Sequence, residues 1–224
     1  MATDEPSVMV YRLHVLLLGV SPAVSRLLEV RSDHTIDDLH ATIQLAMGWT
    51  DRAPHMFRIH GRWYHGRCRN AASQVWGAGR TPMAAFRLCE RERFDYEYGF
   101  GACWRCQIRL KKVLPVVVSS RFPRCVGGRR SPPPETCGGA WQYMSDERRI
   151  RSLFEAGALI VEALDADQDD DAFRAEVTGI AEWSRCCLFD RRACNARLRA
   201  HFDDPAGNLV TREDDDAGAD QDHR

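Results

Sequence analysis

Lysine is scarce in this chain, and so are long apolar runs and any excess of one charge. Lys111 and Lys112 are the only lysines among 31 basic residues, and 32 acidic residues leave a formal net charge of −1. That balance gives no overall field that would favour nucleic acid. No apolar run approaches the roughly 18–20 residues of a membrane helix, and the first residues lack the basic and apolar segments of a signal peptide. We therefore expect a cytoplasmic protein without a membrane partner.

Cysteine, by contrast, is abundant, with nine residues. An odd number argues against a closed disulfide framework, and in a reducing compartment most of these thiols should be small buried hydrophobes. Cys103 and Cys106 have a spacing that can bind zinc together with Cys125 and Cys137 from a later loop. Residues three apart on a strand point to opposite faces, which is unfavourable for chelation, and a redox pair would need a helix N-terminus. Two interpretations of these cysteines therefore remain: a zinc site, or buried thiols that bind no cofactor.

Alternating apolar residues predict a mostly antiparallel sheet. Hairpins are expected at residues 8–30, 55–65 and 94–114. The last of these contains a row of rings on one strand face, which a sheet buries against helices; its members are Phe94, Tyr96, Tyr98 and Phe100. Together with the helices below, this pattern predicts the α+β class.

The clearest helix is predicted at residues 35–47. Thr35 and Asp38 have the spacing of a capping box, and Gly48 suits the position after the last turn. Apolar residues recur within the segment at helical spacing, so this helix should pack on one face of the sheet.

The C-terminal half predicts further helices at residues 145–164, 172–183 and 191–201, which should cover or edge the sheet. Between sheet and helices, residues 121–139 hold three consecutive prolines and two glycine pairs, so we predict a structured loop without regular elements. One domain should therefore span residues 8–200, with a helical part from about 145 to 200. The acidic residues 203–224 should be a disordered tail.

The predicted strand at residues 104–114 has one basic face. Cations and aromatic rings together can hold the phosphates and bases of nucleic acid, and an ordinary solvated face accounts for the same pattern. The residues predicted to bind nucleic acid or a partner protein are Trp104, Arg105, Arg109, Lys111, Arg124 and Arg129.

His40, His55 and Glu135 are the candidate catalytic residues. Neutral imidazole serves both as a metal ligand and as a general base, and Glu135 follows three prolines that would hold it rigidly. The alternative is structural: His40 at the edge of a helix, His55 at the start of a strand and Glu135 in an ordinary ion pair.

Three segments in the right order resemble the plasmid pRiA ORF-three-like family, also known as insertion-element passenger proteins of the TnpR type. The first runs from Leu39-His40 through Gly48-Trp49 to Asp51, with His55 and Phe57 after it. The second is Tyr96-x-Tyr98-x-Phe100-Gly101-x-x-Trp104. The third starts at Pro123-Arg-Cys125-Val-Gly127-Gly128 and continues to Pro132-Pro133-Pro134-Glu135 and Cys137-Gly138-Gly139. With Leu188-Phe189-Asp190 and Asn195-x-x-Leu198, the resemblance covers about residues 8–198. It implies an α+β fold and a place on plasmids or beside insertion elements, without a settled activity.

The chain departs from the family pattern at five positions, where acidic or histidine residues are replaced. These positions are Ala53, Gly99, Ala102, Cys106 and Thr136. If the family residues form a metal or acid–base site, His40, His55 and Glu135 are what this chain retains of it. Our leading hypothesis is a non-catalytic accessory protein of a mobile element that binds nucleic acid or a partner protein. The alternative is a metal-dependent enzyme, or a degenerate relic of one, with a cleft formed by those three residues and the Cys106 end of the hairpin.

Overall fold

The computed structural model describes residues 7–65, 78–99, 104–117, 120–145 and 188–203. Within these ranges seven strands form one sheet in the order β4-β3-β5-β6-β1-β2-β7, with every neighbouring pair antiparallel. This confirms the predicted α+β class and the three hairpins. The strands are β1 (Met9–Leu17), β2 (Ser25–Arg31), β3 (His55–Ile59), β4 (Arg62–His65), β5 (Arg93–Tyr98), β6 (Trp104–Pro115) and β7 (Arg124–Arg129).

One face of the sheet is apolar and the other is polar. Leu13 of β1 lies opposite Leu28 of β2 and Leu110 of β6, and all three are buried. Tyr96 of β5 continues this face toward β3. Because side chains alternate along each strand, Arg12 and the residues opposite it, Glu29 of β2 and Lys112 of β6, lie on the other face.

Helix α1 (Ile36–Met47) covers the apolar face and confirms the predicted early helix. Its first turn has the full capping box: the Thr35 hydroxyl accepts from the Asp38 backbone N–H, and the Asp38 carboxylate accepts from the Thr35 N–H. Gly48 ends the helix with a left-handed φ of 70°, a conformation that costs glycine little. The helix buries Ile36, Leu39, His40, Thr42, Ile43, Gln44, Ala46 and Met47.

The prediction of a loop without regular elements at residues 121–139 is wrong. β7 lies within it and pairs with β2 at the edge of the sheet, with a register shift between Leu27 and Leu28. The glycines that suggested a loop are accommodated because an edge strand tolerates an irregular ladder. Gly128 is required for another reason: a Cβ there would lie 2.5 Å from the ring of Phe189.

Two further α-helices fall in the described ranges, α2 (Gly139–Ser145) and α3 (Arg191–Phe202). α3 confirms the last predicted helix, and Asp190 caps its start with a carboxylate that accepts from the backbone N–H groups of Arg192 and Ala193. The helices predicted at 145–164 and 172–183 lie outside the described residues, apart from Ser145 at the end of α2, and so does the predicted tail beyond residue 203. The domain limits stay predictions. Among the described helices, each is too short or too polar to cross a membrane.

Candidate metal centre

Two histidines meet where the second turn of α1 lies over the start of β3. The rings of His40 and His55 are stacked, with centroids 3.3 Å apart and an interplanar angle of 7°. Both side chains are buried, with residue exposures of 5% and 8%. The structure therefore brings together two of the three candidate catalytic residues, from elements joined by the loop at residues 48–54.

Asp51 lies in that loop and completes a group of three possible metal ligands. Its Oδ1 is 2.7 Å from Nε2 of His40. One ligand atom from each of His40, Asp51 and His55 lies within 4.8 Å of the other two, and this is the one such group among the described residues. The Asp51 side chain is 57% exposed, so the site opens to solvent on the carboxylate side while the imidazoles are enclosed.

A hydrogen-bond chain behind His40 fixes the orientation of its ring. The Asp51 backbone N–H donates to Oε1 of Gln44 at 3.2 Å, so the Gln44 amide nitrogen is the atom that faces Tyr96, to whose hydroxyl it donates at 2.7 Å. The Tyr96 hydroxyl is thus left to donate to Nδ1 of His40 at 2.9 Å. Neutral His40 then carries its proton on Nε2, directed at Asp51.

His55 is held as a neutral imidazole. Burial, followed by the proximity of His40, lowers its pKa to about 3. Its Nε2 is buried and has no hydrogen-bond partner in the described part of the chain. A buried polar atom without a partner is costly, and a neutral imidazole nitrogen is also the form that binds metal ions.

The loop that carries Asp51 is tied down by three consecutive backbone N–H groups. Thr50 donates to Oε2 of Glu135 at 2.7 Å, Asp51 donates to Gln44 and Arg52 donates to the Tyr98 hydroxyl at 3.0 Å. Asp51 itself has φ 54°, in the left-handed region that non-glycine residues adopt at a cost and that often occurs at functional sites. The surrounding side chains hold the carboxylate in place through this backbone.

Glu135, the third candidate, lies behind the loop rather than among the ligands. Its carboxylate accepts from the Thr50 N–H, from the Thr50 hydroxyl at 2.6 Å and from the Tyr98 hydroxyl. Burial alone would raise the pKa of Glu135, but the hydrogen bonds from Thr50 and Tyr98 lower it. Burial and then the bond to Glu135 raise the pKa of Tyr98. Glu135 therefore positions the loop as a charged acceptor.

The cysteine candidates for zinc are not brought together in the described chain. Cys106 on β6 and Cys125 on β7 have β1 and β2 between them, which separates them by roughly 14 Å across the sheet at the usual strand spacing. They are also offset along the strands, because Cys106 lies opposite Leu17 of β1 and Cys125 lies in register with Leu13. Cys106 is fully buried, and burial raises its pKa to about 12. Cys137 lies near α2, and Cys103 lies outside the described residues. Cys106 contributes to the core rather than to the cleft predicted beside His55.

The predicted binding residues divide between the two faces of the sheet. Arg105, Arg109 and Lys111 lie on the polar face, as predicted from the alternation along β6. Arg105 makes an ion pair with Glu97 at 3.2 Å. Arg124 pairs with buried Glu29 at 2.7 Å and is thus part of the fold. Arg129 is exposed at the end of β7.

Trp104 belongs to the opposite, apolar face. It is 1% exposed, stacks on Trp49 with centroids 6.0 Å apart and donates from Nε1 to the Glu135 carbonyl oxygen at 3.2 Å. The structure therefore separates Trp104 from the arginines with which it was predicted to bind. Its contacts support the loop behind the metal ligands instead.

Sequence reasoning did not identify Asp51, Gln44 or Tyr96 as site residues. Asp51 comes directly after the segment Gly48-Trp49-Thr50 that follows α1. Gln44 follows His40 by four residues, so His40 and Gln44 lie on the same side of α1. The pair His40 and Gln44 at helical spacing was a usable signal. The left-handed turn that returns Asp51 to His40 has no signature in the residue types.

The chain is similar to known proteins over most of its length. A family model described as plasmid pRiA4b ORF-3-like protein matches residues 9–152. The uncharacterized protein y4hQ of Sinorhizobium fredii is 29% identical over 140 residues, covering 60% of this chain and 69% of that protein. The crystal structure of MM3350, a protein of unknown function from Methanosarcina mazei Go1, has a TM-score of 0.58 and 24% identity, covering 83% of this chain and 97% of that chain.

The family match spans the whole candidate centre, because His40, Asp51, His55 and Glu135 all lie within the matched residues. It confirms the resemblance drawn from the sequence. This chain belongs to the plasmid pRiA4b ORF-3-like protein family.

Proposed function

We propose that this protein binds a divalent first-row transition metal through His40, Asp51 and His55 and uses it as a Lewis acid. One observation carries the proposal. Three ligand atoms of the right chemistry lie within 4.8 Å of one another, and one of the ligands, His55, has a buried nitrogen without a partner in the described chain. Two imidazoles and one carboxylate are a donor set that zinc and iron(II) use in enzymes.

The number of ligands favours a catalytic over a structural site. Structural zinc sites are closed by four protein ligands, whereas catalytic sites have three and leave a position for water or substrate. The exposed side of Asp51 offers such a position. A metal ion held by His40, Asp51 and His55 would supply Lewis-acid chemistry of the kind that hydrolytic enzymes use.

The surroundings of the histidines fit this role. A metal-bound histidine usually donates its other ring N–H to a second group that fixes the ring. With an ion held at Nε2 of His40, the neutral ring would carry its proton on Nδ1 and would donate it to the Tyr96 hydroxyl oxygen, which lies at 2.9 Å. Burial raises the pKa of Tyr96 well above its usual value, so Tyr96 stays a neutral partner and not a competing ligand. The hydrogen bonds that the backbone N–H groups of residues 50–52 donate position Asp51 in the same way.

Cobalt(II) titration of chelator-treated protein tests the proposal. Cobalt bound by two histidines and a carboxylate gives visible absorption bands, and these should saturate at one equivalent. The bands should be absent in His55→Ala and unchanged in His60→Ala, whose exposed imidazole pairs with Glu92 outside the centre. Cobalt bands that saturate at one equivalent in both variants, or no bands in the wild type, would overturn the assignment.

Nucleic-acid binding by the polar sheet face is the second candidate function. Arg93, Arg109 and His14 lie side by side across β5, β6 and β1. Burial and then the charges of Lys111, Arg109 and Arg129 lower the pKa of His14, which indicates a locally positive surface. Phosphates favour such a surface. An accessory role beside a mobile element, which the family resemblance suggested, goes with this function.

Arg105→Glu with Arg109→Glu tests this second function. Retention on single- and double-stranded DNA should be lost, and wild-type binding should weaken steeply as salt rises. The histidine variants should bind DNA as the wild type does, so the two functions separate. Binding that survives the charge reversal, or absence of binding in the wild type at low salt, would exclude this face.

A further inference from the structure

One row of side chains on the polar face of the sheet carries cationic groups across three strands. Arg109 of β6 is the register partner both of His14 on β1 and of Arg93 on β5. Neighbouring strands lie about 4.8 Å apart, so the row spans roughly 10 Å. Arg93 is exposed, and His14 and Arg109 are half-buried. All three side chains therefore keep surface that a ligand from solvent can contact.

Three other arginines of this face have carboxylate partners. Arg12 and Arg124 both pair with Glu29, at 2.6 and 2.7 Å, and Glu29 is 1% exposed. Arg105 pairs with Glu97 at 3.2 Å. Each of these cations is thus balanced by an acidic residue of the sheet itself.

Arg93 and Arg109 are not balanced in this way. Within the described ranges neither makes an ion pair with a carboxylate. Asp95, the next residue of β5 on this face, lies opposite Gln107 and Arg58 instead. Like charges that lie directly opposite each other in a sheet are destabilising. The row therefore has a cost that a bound anion would offset.

The Arg109 guanidinium also has unused capacity for hydrogen bonds. Its Nε is buried and has no hydrogen-bond partner in the part of the chain that the structure describes. A guanidinium carries five N–H donors in a planar fork, which matches two oxygen atoms of a phosphate group. Donors that the protein leaves unpaired are available to such an oxyanion.

His14 lies among cations that come from the neighbouring strands. Burial and then three positive charges lower the pKa of His14; the charges are those of Lys111, Arg109 and Arg129. Its partner on β2 is apolar Leu27, and Glu29, two residues along that strand, is held by its two arginines. An anion bound in the row would oppose these charges and favour the imidazolium form of His14.

We propose that His14, Arg93 and Arg109 form a binding site for a phosphate oxyanion on the polar face of the sheet. A phosphate group offers up to two negative charges and three terminal oxygen atoms, which two guanidinium groups and an imidazolium can share. The site narrows the second candidate function to one row of residues, and it rests on that function only where DNA supplies the phosphate. A phosphate group of a small molecule has the same chemistry.

An NMR titration of His14 in chelator-treated protein tests the site. The histidine ring signals, with that of His14 assigned through His14→Gln, are followed between about pH 5 and 8. Pyrophosphate should raise the midpoint of the His14 titration by about half a pH unit or more, because the bound anion favours the imidazolium. Acetate at the same ionic strength should leave the midpoint in place, since it has one charge and cannot bridge the row.

Arg109→Gln should remove the response to pyrophosphate. Arg58→Gln is the matched control, because it removes the same charge from β3 on the same face, where Arg58 lies over the Trp63 ring at 5.4 Å. It should keep the response. The wild-type titration needs no variant other than the one for assignment, so the result does not depend on whether Arg109→Gln folds.

A single-stranded oligonucleotide without terminal phosphates separates the two sources of phosphate. If DNA is the source, the oligonucleotide also raises the His14 midpoint, and pyrophosphate displaces it. A response to pyrophosphate alone supports the site with a small-molecule ligand and excludes the DNA function. The site would be overturned by a His14 midpoint that neither phosphate source moves, by an equal response to acetate, or by a full response in folded Arg109→Gln.

Discussion

The imidazole rings of His40 and His55 lie parallel at 3.3 Å, in contact across the interface between a helix and a strand. Two apolar side chains would fill this space without leaving a buried nitrogen atom unpaired, as Nε2 of His55 is in the described chain. Such an atom costs about 1–3 kcal/mol. We infer that the unpaired nitrogen is present because it binds a metal ion. Its removal should therefore affect metal binding and stability in opposite directions, which the first prediction tests.

His55→Leu should leave the metal-free protein as stable as the wild type or up to about 1 kcal/mol more stable, because it removes the unpaired nitrogen. It should also abolish stabilisation by metal, which for the wild type is about 2.7 kcal/mol at a free ion concentration of one hundred times the Kd. Urea denaturation with chelator and with zinc measures both effects. A destabilised variant that still responds to zinc would contradict the site.

Asp51→Asn should weaken metal binding at least tenfold and change the unfolding free energy by no more than about 0.5 kcal/mol. Asparagine adopts positive φ readily and keeps the backbone hydrogen bond to Gln44, but it loses the anionic ligand. Competition against a chromophoric chelator gives the affinity. Asp33→Asn, at an exposed ion pair with Arg31, is the matched control and should bind as the wild type does.

Glu135→Ala should act on metal binding through the loop. Removing the acceptor for the Thr50 backbone and hydroxyl groups should cost about 1–3 kcal/mol of stability and a 10–100-fold loss of metal affinity. Glu90→Ala is a fair comparison, because Glu90 also accepts a backbone N–H, from Val113 at 2.9 Å, but lies outside the centre. Equal effects of the two variants on metal affinity would show that Glu135 has no special role.

Stability should fall as the pH is lowered from about 6.5, in protein kept metal-free with chelator. The pKa of His55 is about 3 in the folded protein against 6.5 in the unfolded chain, so the unfolded chain binds an additional proton between these values. The slope from this residue approaches 1.4 kcal/mol per pH unit, or about 2 kcal/mol between pH 6.5 and 5. His14 and His34 add to it with the same sign.

His55→Leu isolates the share of that slope that belongs to His55. Glu29 and Glu135, whose pKa values are lowered, contribute stability that is lost only below about pH 4.5, because ordinary carboxylates protonate there. Denaturation at several pH values between 5 and 6.5 therefore reports mainly the histidines. An unchanged slope in the variant would mean that His55 is not held neutral by burial.

Local patterns in the sequence were sufficient for α1 and the strands that alternate cleanly. Thr35 and Asp38 specified the start of α1 through contacts within one turn, and β6 followed from the alternation of Trp104 and Arg105. β7 was missed because its glycines resemble a loop. Its pairing depends on β2, and Gly128 depends on Phe189, so both are set by residues distant in the chain.

The candidate centre was predictable only in part, because some of its residues are positioned by contacts distant in the chain. His40 and His55 were identified by residue type, and the fold places them in contact. Asp51 depends on a left-handed turn that three hydrogen bonds from elsewhere hold in place, so no local pattern specifies it. Trp104 was named among the predicted binding residues, but it is buried on the apolar face, where it stacks on Trp49 from the loop after α1.

Elemental analysis of protein purified without chelator tests the central claim most directly. The wild type and His60→Ala should each contain close to one equivalent of a transition metal, and His40→Ala with His55→Ala should contain none while remaining folded. A wild type without metal that also fails to take up zinc, cobalt(II) or iron(II) after purification would contradict the account, as would a folded double variant that keeps the full equivalent.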